Sequence, residues 1–246
     1  MKHWSAVKGV NIESPVLDTF PASVLADMAT AGRELRECCR VLDKGGINLV
    51  GEVLKGQGTF YEDDHYPEGD VYDTDTASQY YYHAHRGIPG EHGHFHTFVR
   101  ADAIPDSIAP VPYDGDEAWP EGEDRIAHLG AVSMDRSGFP LGVFMTNRWV
   151  TGETWFSAPD VGSLLDRFSI DHAYPSWPTN RWLTALFRLY RPQIESLLTH
   201  RDQVIAAWSD SHPDRDVYED RELEMTGWIR LYPDQHMADL DALLDR

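Results

Sequence analysis

Residues 79–100, QYYYHAHRGIPGEHGHFHTFVR, do most to limit what this chain can fold into. Two strand-like runs rich in Tyr, His, Phe and Val flank a Gly/Pro loop, the pattern of two strands turning back on one another. A hairpin here commits the chain to an antiparallel sheet. It also gathers five of the twelve histidines, His83, His85, His92, His94 and His96. Side chains two apart on a strand share a face, so His83 and His85 project together, as do His92, His94 and His96. The register that sets His85 opposite His94 sets His83 opposite His96, and four imidazoles then form one patch. A slip of one residue sets those histidines against glycine and aromatic side chains instead, so the patch depends on register.

Around this hairpin the hydrophobic period changes twice. Residues 21–44 carry Leu25, Met28, Leu35, Cys38 or Cys39, and Leu42 at roughly helical spacing, with Gly45 and Gly46 as the stop. Residues 47–55 read as a short strand, and the acidic, Gly-rich residues 56–78 as a long exposed loop. Asp70, Asp73 and Asp75 within it do not match an EF-hand spacing and read as a solvated turn. Residues 103–124, with Pro105, Pro110, Pro112 and Pro120, form a second loop long enough to lie over a site.

Residues 125–135 and 141–155 read as a second antiparallel pair, with His128 on its first strand and Asn147, Trp149, Thr151 and Glu153 on one face of its second. From Pro159 onward the period is helical. A helix over 161–168 precedes an apolar stripe from Trp182 to Trp208 through two more, with Pro192 either kinking one helix or starting another. A last strand within 216–230 and an amphipathic helix over 233–244 complete the pattern. These elements predict a single α+β domain over 1–246. Its antiparallel sheet of about five or six strands, open or barrel-like at its mouth, packs against N-terminal and C-terminal helices.

Charge narrows the classes of function. A net charge of −20 argues against nonspecific binding to nucleic acid or an anionic membrane, both of which need positive surface. No apolar run approaches the ~18 residues of a membrane span, and the N-terminus lacks the apolar centre of a signal peptide, so a cytoplasmic location is expected. The adjacent cysteines Cys38 and Cys39 cannot provide a disulfide framework.

The histidines carry the chemistry. Imidazole is the commonest nitrogen ligand for Zn, Fe, Cu and Ni, and short metal–nitrogen bonds need ligands converging on one point. His83, His85, His94 and His96 are the candidate metal ligands, with Glu91 as a fifth ligand or general base. His128 is a candidate group that orients a metal ligand from behind or polarises a substrate, and Tyr81, Asn147, Trp149 and Trp155 are candidate pocket walls. The same histidines also suit a hydrogen-bonded wall of a polar pocket or a pH-sensitive face.

Two resemblances attach to these residues. His83-Ala84-His85 followed after five residues by Glu91 resembles the first metal motif of cupins, whose His-x-His and glutamate bind a metal inside a small β-barrel. The gap is longer than the usual three or four, and after Pro140-Leu141-Gly142 Met145 stands where the second cupin motif has histidine. More broadly, GEHGHFHTFVR at 90–100, NRWVTGETW at 147–155, PSWPTNRW at 175–182 and DRELE at 220–224 together resemble an uncharacterised bacterial protein family, a domain of unknown function. That resemblance implies a bacterial, single-domain soluble protein and no particular substrate.

Two functional readings stand at this level. One is a metalloprotein, a small-molecule oxygenase or hydrolase, built on the histidine hairpin with a divalent transition metal, Zn, Fe, Ni or Cu. The other is a noncatalytic protein that binds a small ligand in a His/aromatic pocket. Both expect a small-molecule partner.

Overall fold

The computed structural model describes residues 11–115 and 117–245. Residues 1–10, part of the expected irregular lead-in and the place of any signal peptide, lie outside that range.

Helix α1 (Ala22–Lys44) follows Pro21 and runs to Gly45. Its buried stripe, Leu25, Met28, Leu35, Cys38 and Leu42, is the one the sequence spacing predicts. Helix α2 (Leu49–Leu54) occupies residues expected to be a strand. The Asn48 side chain accepts from the Gly51 amide at 2.9 Å and caps it, and Leu49, Val50 and Val53 are buried at helical spacing. Cap and period together override the β-branched composition.

Six strands follow in meander order: β1 (Tyr66–Asp73), β2 (Ser78–His83), β3 (Gly93–Arg100), β4 (Ile126–Met134), β5 (Pro140–Thr146) and, after the helices, β6 (Met225–Arg230). Every neighbouring pair is antiparallel. The sheet is open rather than barrel-like, with β1 and β6 at its ends. Strand β1 lies inside the stretch expected to be one long loop. Its Asp73 accepts from the backbone N–H groups of Asp75, Thr76 and Asp171, which is why an acidic run can end in an ordered turn.

The expected second strand over 141–155 stops at Thr146, where Asn147 caps the four-residue helix α3 (Arg148–Thr151) and Gly152 closes it at φ +65°. Asn147, Trp149, Thr151 and Glu153 therefore do not share a strand face. Helix α4 (Ala158–Leu164), capped by Ser157, starts earlier than expected and gives way to a 3₁₀ turn. Helices α5 (Trp177–Leu189) and α6 (Arg191–Ser211) divide the long stripe, and Pro192 sits in the first turn of the second, so it begins a helix rather than kinking one. The late strand is confined to β6, and α7 (Pro233–Leu244) spans the predicted closing helix.

Alternation along the strands divides the sheet into two faces. Tyr80, Tyr82, Phe95, Val99, Leu129, Val132, Val143 and Met145 join the helices in the main core. Tyr80 donates to Asn180 Oδ1 on α5 at 2.6 Å, and Trp182 of α5 lies against Phe95. Tyr81, His83, His94, His96, Ser133 and Phe144 fall on the opposite face by the same alternation. The helices thus leave one face of the sheet to the histidines, as the sequence suggested.

Gly93, where β3 begins, shares the side of Phe95 and allows β3 to close on the Tyr82 ring and the His83 backbone. A Cβ there would stand 2.5 Å from the His83 carbonyl oxygen and 2.7 Å from the Tyr82 ring. Gly93→Ala is expected to destabilise the fold by about 1–3 kcal/mol through overpacking. Urea unfolding checks this, and an unchanged midpoint would show that the strands separate freely.

Candidate metal centre

Strands β2 and β3 pair with Tyr81 opposite His96 and His83 opposite His94. This is two residues from the register that would set His85 opposite His94. An even displacement keeps the faces and changes the partners. Strand β2 ends at His83, so His85 leaves the ladder and stands exposed in the turn, with its ring 4.6 Å from His83 and 5.1 Å from His94. His92 also leaves the group. Its Nδ1 is 2.8 Å from the Tyr82 hydroxyl, and its ring faces Phe60.

Three histidines remain together. One ring nitrogen from each of His83, His94 and His96 lies within 4.8 Å of the others, the arrangement a metal ion could bridge. The ring centroids are 4.4 to 5.2 Å apart. His94 and His96 are 0% exposed and His83 8%. In all three the Nε2 atom is buried and has no hydrogen-bond partner.

The groups behind His94 and His96 explain why two of those atoms are bare. Glu91 Oε1 lies 3.1 Å from His94 Nδ1, and a carboxylate only accepts, so the imidazole proton belongs on Nδ1 and the Nε2 lone pair stays open. Glu91 is itself held by Arg86 and by the Ser133 hydroxyl. Arg86 lies over the Phe144 ring at 3.8 Å. Behind His96, Nδ1 is 3.0 Å from His128 Nε2, and His128 faces Glu153 through Nδ1 at 3.8 Å. The His128 backbone N–H also donates to Glu153 at 2.9 Å. With the His128 proton on Nδ1, its Nε2 accepts from His96 and leaves His96 Nε2 open. Each of the two deeply buried histidines thus has a carboxylate at the back of its own line of contacts.

Burial sets the charge state. It pushes the His83 imidazole down to about 3, with His85 and His65 adding to the effect. His94 and His96 are held well below the usual range by burial, with Arg86 the next cause for His94 and His128 for His96. His128 is pushed down to about 3 by burial and then by Arg201, while burial raises Glu153 to about 7. The unfolded chain takes up protons at these histidines below about pH 6.5, before the folded chain does. Their contribution to stability is therefore complete above pH 6.5 and lost progressively toward pH 3. Glu153 acts in the opposite sense, contributing stability below its ordinary 4.5 that is lost as pH rises through about 7. Four imidazoles outweigh one carboxyl, so the melting temperature of metal-free protein is expected to fall from pH 7 to pH 4. A melting temperature that rises over that interval would contradict the buried neutral triad.

The remaining candidates divide. Tyr81 stands at the triad, its ring 5.1 Å from His83 and 5.2 Å from His96. Asn147 is occupied with the start of α3, accepting from the Arg148 amide and donating to the Val217 carbonyl. Trp149 donates to the Leu223 carbonyl and lies under Arg221. Trp155 belongs to a separate cluster with Ile205, Val217 and Leu223, under the Arg201 guanidinium. Of the four proposed pocket walls, Tyr81 alone has ring contacts with the triad.

Sequence reasoning missed His65. It comes from the acidic loop, stacks on Tyr81 with centroids 3.6 Å apart and meets His83 edge-on at 5.5 Å. No local pattern pointed to it, since its approach depends on where the loop folds. Arg86 and Ser133 were also missed, although Ser133 shares the parity of the histidine face and pairs directly with His94. The cupin-like spacing does not describe the cluster, because His85 and Glu91 are not the residues that converge with His83.

No helix among the described residues is long and apolar enough to cross a membrane. No curated protein and no solved structure matches the chain. The four segments that resembled an uncharacterised family do reflect membership: the chain belongs to the family described as Domain of unknown function (DUF6969), whose family model matches residues 29–231, a span that holds the triad and every group behind it.

Proposed function

We propose that this chain is a metalloprotein that holds one divalent transition metal through Nε2 of His83, His94 and His96 and presents it to a small molecule. Two observations carry the reading: one ring nitrogen from each of three buried histidines lies within 4.8 Å of the others on one face of the sheet, and Nε2 of each histidine has no hydrogen-bond partner. An unpartnered buried polar atom costs about 1–3 kcal/mol, and three side by side are best explained by one shared electrophile. The donor set is all nitrogen, which suits Zn, Fe, Ni or Cu, and lacks the thiolates of an ordinary structural zinc cage. Three protein ligands also leave coordination positions for another molecule, the pattern of catalytic rather than closed sites. An oxygenase or a hydrolase fits that pattern, and the element bound separates them: redox-active Fe or Cu supports the first, Zn the second.

Glu91 and His128 act behind the ligands in this reading. Both Glu91 oxygens are engaged by Arg86, His94 and Ser133, which suits orienting His94 better than ligating the metal. The net charge of −20 supports a small-molecule partner over a nucleic acid.

Elemental analysis by mass spectrometry on tag-free protein tests the proposal. Near-stoichiometric Zn, Fe, Ni or Cu, either as purified or after reconstitution, is expected. Protein that takes up none of the four would sink the metal reading and leave a His/aromatic ligand pocket.

A further inference from the structure

The sheet places one more histidine beside the triad. Strand β1 begins by pairing Tyr66 with Tyr82, so the residue just before it, His65, falls beside His83 and on the histidine face by alternation. His83 in turn stands opposite His94, which makes a row of three imidazoles across the first three strands. The His65 ring meets His83 edge-on with centroids 5.5 Å apart and lies flat on Tyr81 at 3.6 Å. It is not one of the residues whose nitrogens converge within 4.8 Å. His65 therefore stands next to the centre without belonging to the ligand set.

A chain of side chains fixes what this ring presents. Arg100 donates to Gln79 Oε1 at 2.9 Å, so the Gln79 amide turns its NH₂ the other way, and that group donates to Asp70 Oδ2 at 2.7 Å. The second Asp70 oxygen, Oδ1, lies 3.0 Å from His65 Nδ1. A carboxylate only accepts, so the proton sits on Nδ1 and the neutral ring keeps a lone pair on Nε2. Among the described residues, Asp70 is the one hydrogen-bond partner of the His65 ring.

Asp70 does this with φ at +61°, a left-handed backbone that Asp and Asn tolerate better than other side chains with a Cβ. The His65 side chain is nonetheless 43% exposed. A contact of this kind at the surface does little for the fold. Three linked side chains and a left-handed backbone devoted to one exposed imidazole mark a group held ready for a ligand.

We propose that His65 sets the specificity of the metal centre: its Nε2 accepts a hydrogen bond from the small molecule bound at the triad, and so selects molecules with an N–H or O–H next to the atom that meets the metal. This role rests on a metal held by His83, His94 and His96, and it adds the class of molecule that the metal takes.

Acetohydroxamate and N-methylacetohydroxamate test it, since both chelate a metal through the same two oxygens and only the first has an N–H. Protein loaded with whichever of Zn, Fe, Ni or Cu it retains is titrated with each by calorimetry at pH 8.5, which favours neutral imidazole. The parent is expected to bind the N–H probe about ten-fold more tightly. His65→Ala should keep the parent's metal content and bring the two probes to within about two-fold of each other, because the discriminating acceptor is gone. Asp70→Asn keeps the left-handed backbone and the volume but no longer dictates the tautomer, and should cut the preference to about three-fold or less. Equal affinities in the parent, a preference unchanged by either variant, or loss of metal from His65→Ala would overturn the proposal and leave the metal reading in place. A parent chain that retains no metal would instead sink that reading, and this role with it.

Discussion

Alanine at His94 or His96 is expected to lower metal affinity by more than about 100-fold, while alanine at His85 changes it by no more than about three-fold. The contrast follows from where β2 ends. His83, His94 and His96 stand on paired strands, their rings fixed by the ladder and by burial. His85 lies two residues beyond the end of β2 and is exposed, although its ring comes as close to His83 as His94 does to within a few tenths of an ångström. Proximity of rings is therefore not what separates them. The difference is preorganisation. A ligand already held with its lone pair open loses little freedom on binding, whereas an exposed turn residue must first be ordered. Competition against a chromophoric zinc chelator measures the affinities, with circular dichroism to establish that each variant remains folded. A His85→Ala loss as large as that of His94→Ala would mean that the site is the four-histidine patch and that the turn closes over the metal.

That contrast also marks how far the sequence could be read. The hairpin, its two strands and the face shared by the histidines follow from period-two alternation, which any even register preserves. The choice between registers two residues apart does not, because both bury the same face. The strands pair with His83 opposite His94, and Gly93 permits the close approach to the His83 carbonyl at that closing pair. Elsewhere, local chemistry outweighed pattern. Asn48 and Asn147 each start a helix within a run whose composition reads as strand, since a side-chain cap acts at a single position that hydrophobic spacing does not register. The long C-terminal helices were plain because their apolar stripe persists over many turns. His65 was invisible for the opposite reason. Nothing within its own loop distinguishes it, and only the fold of that loop lays it on Tyr81.

Glu91→Ala is expected to destabilise the protein by about 3–5 kcal/mol, and Glu91→Gln to leave a folded protein whose metal affinity is lower by about 10–100-fold. The pair of variants separates two duties of one carboxylate. Glu91 and Arg86 are an ion pair with side chains only 3% and 2% exposed. Truncating Glu91 takes the carboxylate from a guanidinium that remains in a low-dielectric setting, and it also strips partners from Ser133 and from His94 Nδ1. The desolvation already suffered by Arg86 is not returned, which is why breaking such a pair costs far more than the pair is worth against a well-packed apolar substitute. Glutamine keeps the volume and one acceptor oxygen, so the packing over Phe144 survives. Its amide cannot serve Arg86, His94 and Ser133 together as two anionic oxygens do. His94 then loses the charge-assisted contact that holds its proton on Nδ1 and makes Nε2 the better donor to a metal. Urea unfolding of the metal-free proteins reads the first duty, and chelator competition reads the second. If Glu91→Gln binds metal as tightly as the parent while Glu91→Ala is strongly destabilised, Glu91 serves the fold alone, and the orientation of His94 comes from its strand.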